Sequence, residues 1–308
     1  MKRVLLTGAT GCLGSYLLAE LLAQTDCQIT VWVRQPERLW PVWRQHPRVR
    51  LRVGDLCQAS LQKDLFRHFD ALIHPAVAWG GAQTFSLNVH ATRRLFAALD
   101  PERCRQIHCF STASLLDARH QIWPQAHTLG TDYIRSKAAL AALLQQQPPA
   151  IPLTLYYPPL IVGGDGAAHP LTPLTAGLPQ ALRFAPLLQY LSVDGGLHFI
   201  HAADLAALVV RRLCTGIAPA ALVPGQNWCS VMDLMAATAR SAGAARANWK
   251  LPLQPALPAL CYALQRQMSA WDRFSLHVRS TRYQVVRPED YGLTSRYPRW
   301  TDILAAYT

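Results

Sequence analysis

The sequence predicts an α/β chain built on a doubly wound parallel sheet, with a smaller C-terminal lobe. Three observations predict it. Short apolar, β-branched runs alternate with apolar-periodic stretches of helix length through the first half. A glycine-rich turn joins the first run to the first helical stretch. Beyond Gly163–Gly164 the alternation loosens and Pro, Leu and Ala dominate. The chain has 308 residues, 51% hydrophobic and 16% charged, which suits one large domain or two coupled ones and rules out wholesale disorder.

Strands are expected at Arg3–Leu6, Gln28–Val33, Val49–Val53, Ala71–Val77 and Gln106–Phe110, because each is a short apolar run with β-branched residues. Between them, Leu13–Gln24, Ser60–Phe69, Asn88–Leu99 and Asp132–Gln147 carry the helical period. A sixth strand, Ile151–Val162, follows Pro148–Pro149, and Pro158–Pro159 should end or bend its paired part. Leu197–Ile200 followed by Ala203–Leu213 reads as a strand and helix returning to the sheet. The division is therefore 1–164 with 199–214 for the nucleotide-binding part, and 165–308 for the lobe. Pro258–Val278 is largely apolar and reads as a packed lid helix, with Pro258 in its first turn, or as a membrane-surface helix, the weaker alternative.

Val4 to Gly14 reads VLLTGATGCLG. Gly8 permits the tight turn, Gly11 lets backbone approach a pyrophosphate at the helix N-terminus, and Gly14 allows close helix–strand packing. Thr10, Cys12 and Leu13 complete the loop and are expected beside the cofactor, Cys12 as a small filler. At the end of the second strand, where an NAD site normally carries Asp or Glu, stands Arg34, with Arg38 a turn further on. Guanidinium groups there suit the 2′-phosphate of NADP, with NAD the alternative. Asp55, after the third strand, reads either as a partner for the adenine amino group or as a turn-forming carboxylate.

Tyr133 and Lys137 open a predicted helix four residues apart, on one face. A free phenol has a pKa near 10. A neighbouring ammonium and an oxidised nicotinamide should lower it, so that Tyr133 exchanges a proton with an alcohol or carbonyl while hydride moves. Thr112, in Phe110-Ser-Thr-Ala-Ser114, ends the fifth strand at the edge where open α/β sheets bind ligands, and its hydroxyl suits the reacting oxygen. Ser114 reads as a cap on the same junction.

Taken in order, TGATGCLG, Gly54-Asp55-Leu56, His74-Pro75-Ala76, Asn88-Val89, Ser111-Thr112, Tyr133-x-x-x-Lys137, Pro158–Gly163 and Phe199–Asp204 resemble the extended short-chain dehydrogenase/reductases. The resemblance covers roughly residues 1–210. It implies a Rossmann-type doubly wound sheet with a C-terminal substrate lobe. It also implies Tyr133 as acid/base, Thr112 as partner of the substrate oxygen, and Lys137 as holder of the nicotinamide ribose. Asn88 would order the active-site region. Leu56, Pro75 and Ala76 would line the cofactor, and Tyr157, Pro158 and Leu160 would flank the nicotinamide. Two departures stand out. Tyr156-Tyr157 occupies the place where the family usually has Arg before Pro158, and Thr112 is followed by Ala113-Ser114 instead of the acid pair of sugar dehydratases.

These readings together predict an NADP-preferring oxidoreductase that interconverts a carbonyl and a secondary alcohol on a small organic substrate, with reduction the preferred direction. The alternatives are a nucleotide-sugar epimerase with tightly bound NAD, and a non-catalytic NADP-binding scaffold or assembly factor.

The rest of the sequence adds bounds. Net charge is +12, which suits an anionic cofactor, an acidic protein or a membrane surface. The alternating Arg48, Arg50 and Arg52 read as a solvated strand face, and no nucleic-acid signature accompanies them. The cysteines at 12, 27, 57, 104, 109, 214, 229 and 261 form no CxxC pair or metal spacing, so buried free thiols and a reducing, cytoplasmic compartment are expected, with no metal. The N-terminus lacks the core of a signal peptide, and no apolar run is long enough to span a membrane. His74 reads as a packed strand residue, Asp204 as a helix cap, and Trp79 as an aromatic that could face the pocket. The helices at 88–99 and 132–147 suit a homodimer interface.

Overall fold

Seven strands form one parallel sheet in this computed structural model, which describes residues 2–58, 66–216, 218–244, 249–253, 255, 268–278 and 280–307. They are β1 (Arg3–Thr7), β2 (Gln28–Val33), β3 (Val49–Val53), β4 (Ala71–His74), β5 (Gln106–Phe110), β6 (Leu153–Tyr156) and, late in the chain, Ala220–Leu222. From one edge the order is Ala220–Leu222, β6, β5, β4, β1, β2, β3, a Rossmann-like sheet. The chain runs outward from β1 to β3, then crosses back to β4 on the other side of β1. That reversal opens a crevice at the strand C-termini, between β1 and β4.

Both faces of the sheet are buried, which is why its strands read as continuous apolar runs. Val4, Leu6, Ile29, Val31 and Ile73 pack with Leu17, Leu18 and Leu21 of α1 (Cys12–Gln24) on one face. Leu5, Leu72 and Ile107 point to the other face, against Leu95 of α2 (Thr92–Ala98) and Ala138 and Ala141 of α3 (Asp132–Gln146). Side chains alternate along each strand, so one strand feeds two cores.

The C-terminal lobe has a third core. Its elements are β7 (Leu160–Val162), α4 (Pro173–Leu188), β8 (Phe199–His201), α5 (Ala202–Thr215), α6 (Val231–Ser241), α7 (Ala270–His277) and α8 (Trp300–Tyr307). Val162, Leu178, Phe199, Ala237, Trp300, Ile303 and Leu304 meet there. The helix α5 instead packs its apolar side on α1, with Leu205, Leu208 and Val209 in the core of the sheet.

Several expectations need correction. The sixth strand is two: β6 ends at Tyr156, and β7 leaves the sheet to pair with β8. Pro158 and Pro159 have no N–H to offer a ladder, so pairing breaks there. The returning strand follows α5 and does not precede it: Ala220–Leu222 pairs with Thr154–Tyr156, and its short Ala-Ala-Leu run carried no period to detect. The fourth strand stops at His74, and the predicted helix at 88–99 begins as a π-turn over Ser86–Ala91. The helix α4 was not foreseen, because Pro179 and Pro186 lie inside it.

Other corrections concern single side chains. His201, not Asp204, caps α5 by accepting from the Ala203 N–H, while Asp204 accepts the N–H groups of Arg296 and Tyr297. Arg48 and Arg52 are not simply solvated: Arg48 donates to the Leu22 and Thr25 carbonyls closing α1, and the Arg52 guanidinium lies 4.4 Å over the Trp32 ring. Cys214 is exposed, against the expectation of buried thiols. The helix expected at 60–69 and the lid helix expected at 258–278 lie largely outside the described residues; of the latter, α7 is described.

Candidate active site

The glycine turn and the end of β4 meet at the crevice. Gly8 adopts φ +63°, and a Cβ there would sit 2.7 Å from the Ala76 nitrogen, so only glycine lets Pro75-Ala76 pass this closely. A Cβ on Gly14 would overlap the Gly8 carbonyl. The Gly11 N–H donates to the Gly8 carbonyl at 3.0 Å, and no side chain caps α1. The first turn of that helix therefore presents backbone N–H groups and the positive end of its dipole to the crevice, which fits a dinucleotide diphosphate. Cys12 sits against Gly163, and burial, then Asp165, pushes its thiol up to about 12, so it is inert filler. Leu13 packs on the sheet core. Thr10 is half-buried in the turn.

At the adenosine end, Arg34 and Arg38 are exposed, and Arg38 makes one long bond, 3.4 Å, to Gln35. Leu56 is buried. The Asp55 carboxylate accepts the Cys57 N–H at 2.8 Å, the turn-forming role.

The residues expected to be catalytic lie at the end of β5. Thr112 caps the short 3₁₀ turn Ala113–Leu115 and accepts from the Ser114 N–H at 3.3 Å. Thr131 caps α3 and so fixes its first turn, from which Tyr133 reaches Thr112 and shares a hydrogen bond with it. Lys137, one turn on and buried, donates Nζ to the Phe110 carbonyl at 2.6 Å. The structure thus brings Thr112, Tyr133 and Lys137 to one place, the strand-end edge predicted for them.

The electrostatics differ from the sequence reading. Burial raises the Tyr133 phenol to about 12 and the Thr112 bond only partly offsets this; the Lys137 ammonium is not among the groups that shift it. Burial also lowers Lys137. The expected lowering of the phenol by its amine neighbour is not found, because that amine is turned to the Phe110 carbonyl.

Asn88, at the π-turn, brackets the loop after β4: its Oδ1 accepts from the Ala78 N–H at 2.8 Å and its Nδ2 donates to the Ala78 carbonyl and to Ser136 Oγ, each at 2.9 Å. Ser136 in turn donates to the Tyr133 carbonyl at 2.7 Å. Ser136 went unnoticed in the sequence, although its place between Tyr133 and Lys137 was a signal. The Trp79 ring is stacked on that of Tyr133, with centroids 4.6 Å apart.

His74 links Thr7 Oγ1, 2.8 Å from its Nδ1, to Thr92 Oγ1, 2.9 Å from its Nε2. Burial, then Lys137, holds the imidazole down to about 3, so it is a neutral structural link. Tyr157 is buried and donates its N–H to Leu222, the Pro158 carbonyl accepts from Ala113, and Leu160 pairs with Phe199 in β7. Tyr283 of the lobe, also missed, donates its hydroxyl to the Ala113 carbonyl at 2.8 Å and so ties the lobe to the residue after Thr112. A cavity of about 700 Å³ lined by Phe96, Asp100, Leu143, Gln147 and Ile151 lies at the opposite end of α2 and α3, remote from this chemistry. Among the described residues, no group of His, Cys, Asp or Glu is placed to hold a metal, and no helix is long and apolar enough to cross a membrane.

Residues 4–216 match the NAD dependent epimerase/dehydratase family. The hybrid PKS-NRPS synthetase mycA of Thermothelomyces thermophilus is 29% identical over 251 residues, 69% of this chain; the chain spans 6% of that synthetase's length. Among solved structures, the terminal R domain from the myxalamid PKS-NRPS biosynthetic pathway superposes with a TM-score of 0.71 at 19% identity, covering 99% of this chain and 89% of that one. UDP-glucuronic acid 4-epimerase from Bacillus cereus, in complex with NAD, superposes with a TM-score of 0.69 at 16% identity, covering 99% and 96%.

Proposed function

The chain belongs to the NAD-dependent epimerase/dehydratase family, and within it we propose an NADP-preferring reductase that converts a carbonyl of a small organic molecule to a secondary alcohol. One observation carries this reading: Thr112, Tyr133 and Lys137 meet at the end of β5, and burial raises the Tyr133 phenol above its ordinary value, so that it rests protonated. A protonated phenol is a proton donor, and carbonyl reduction needs one.

In this reading the substrate oxygen accepts hydrogen bonds from Thr112 and Tyr133. A bound NADPH supplies the hydride. As charge develops on the oxygen, Tyr133 gives up its proton and Thr112 holds the oxygen in place. Lys137 fixes α3 to the end of β5 and adds positive charge beneath the site. Arg34 and Arg38 meet the 2′-phosphate. The likeness to part of a hybrid PKS-NRPS synthetase favours an organic carbonyl compound over a nucleotide sugar.

The test is NADPH oxidation against a panel of ketones, with Tyr133→Phe beside the parent. The expected result is turnover that falls roughly 10²–10⁴-fold in the variant with NADPH binding kept. Equal turnover in both overturns the assignment. Stoichiometric NAD released from the denatured parent protein, with no need of added cofactor, would point to the epimerase chemistry instead.

A further inference from the structure

The loop after β4 carries a large aromatic that folding leaves in water. Trp79 is 73% exposed, yet its ring lies on the ring of Tyr133, 4.6 Å between centroids and 23° between planes. Most exposed apolar side chains need no explanation, but this one touches the catalytic phenol.

The loop is built to hold the base of that side chain and leave the ring free. Ala78, just before it, is held by two bonds to the Asn88 amide. Gly80 and Gly81 follow, Gly81 at φ +85° with open space around it, and Thr84 Oγ1 closes the turn on the Gly81 carbonyl at 2.7 Å. The indole therefore projects from a fixed point beside the reacting hydroxyl. Beneath the loop, Ala76, Leu87 and Tyr133 pack against one apolar cluster. From Ala71 to Thr92 there is no Asp, Glu, Lys or Arg, so this wall offers no charge to hold a diphosphate.

We infer that Trp79 is a specificity-determining residue: a stacking wall that selects substrates whose carbonyl is attached to a flat aromatic or conjugated group. This rests on the reductase reading for the position of the carbonyl at Tyr133 and Thr112. An aromatic platform rewards a planar partner through offset stacking, which a saturated ring of equal size cannot match.

Acetophenone and cyclohexyl methyl ketone, equal in carbon count and reacting group, separate the two effects. Dissociation constants for both are measured on the whole protein, on Trp79→Ala and on Trp79→Phe, and on the same set in a Tyr133→Phe background, which keeps the stacked ring. The expected preference for the aromatic ketone is about three- to tenfold in the parent, lost in Trp79→Ala and largely kept in Trp79→Phe. An unchanged preference in Trp79→Ala, or no preference in the parent, overturns the inference. A Trp79-dependent preference without NADPH oxidation leaves the stacking wall standing and defeats the reductase reading. The two failures are thus distinct.

Discussion

Lys137 Nζ donates to the backbone carbonyl of Phe110 at 2.6 Å, joining the first turns of α3 to the last residue of β5. The bond crosses a buried site and holds Tyr133, one turn earlier, over Thr112. Lys137 is thus an anchor in the geometry as well as a charge. Replacing it by Met leaves the Phe110 carbonyl without this donor and should cost about 1–3 kcal/mol of stability, read in denaturant melts. Lys137→Arg should not restore activity, since a planar guanidinium cannot occupy the place of a compact ammonium.

The pH profile follows from the phenol. In the proposed reaction Tyr133 is the proton donor, and burial raises it to about 12, so the donating form predominates well below that pH. The reductive kcat should therefore show no basic limb between pH 7 and 9.5. A limb centred near pH 8 would show a phenol lowered by its surroundings, against the raised value that burial gives it.

In the proposed reading cofactor preference is set at Arg34. The side chain is exposed where the second strand ends, and an acid in that place would repel a 2′-phosphate and accept a ribose hydroxyl. Arg34→Asp should shift the ratio of kcat/KM for NADPH over NADH toward NADH by about one to two orders of magnitude, at 1–3 kcal/mol for one charge-assisted contact. The double variant with Arg38→Ala should go further. Unchanged ratios would remove both arginines from cofactor recognition.

Gly14 is a packing position. Its Cβ would overlap the Gly8 carbonyl, a backbone atom that cannot move aside without opening the turn. Gly14→Ala should lower stability by about 3 kcal/mol or more and weaken dinucleotide binding together with it. Gly216→Ala, where a Cβ would meet nothing but φ is +63°, should cost only about 1 kcal/mol, which separates strain from overlap.

Stability should fall in mild acid. His74 and His108 are buried and neutral, both held down to about 3 by burial, with Lys137 adding to the first and Arg212 to the second. Unfolded, each regains a value near 6.5, so between pH 6.5 and 3 the unfolded chain binds protons that the folded one does not. Stability is complete above pH 6.5 and drops by about 1.4 kcal/mol per group per pH unit below it. Melts at pH 7.5 and 5.5 should differ by roughly 3 kcal/mol from these two residues, and His108→Gln should remove about half of that difference.

The sequence by itself determined six strands of the sheet, the glycine turn at its crevice and the shared position of Thr112, Tyr133 and Lys137. Val4, Leu5 and Leu6, Gln28–Val33 and Gln106–Phe110 fall in strands because a parallel sheet buried on both faces must be a continuous apolar run, a local pattern that is visible without coordinates. The glycines at 8, 11 and 14 declare a turn of fixed shape, and the four-residue spacing of Tyr133 and Lys137 follows from the pitch of a helix. Only the tertiary structure decided where the Lys137 amine points, that Ser136 and Asn88 brace the loop of Trp79, that Tyr283 reaches back from the lobe to Ala113, and that β7 leaves the sheet for β8. Each of these joins residues distant in the chain or depends on burial, and neither is written in local spacing. A phenol's acidity belongs to the same class: it is fixed by what surrounds the ring, and the ring's surroundings come from Trp79, Thr112 and the packed core together.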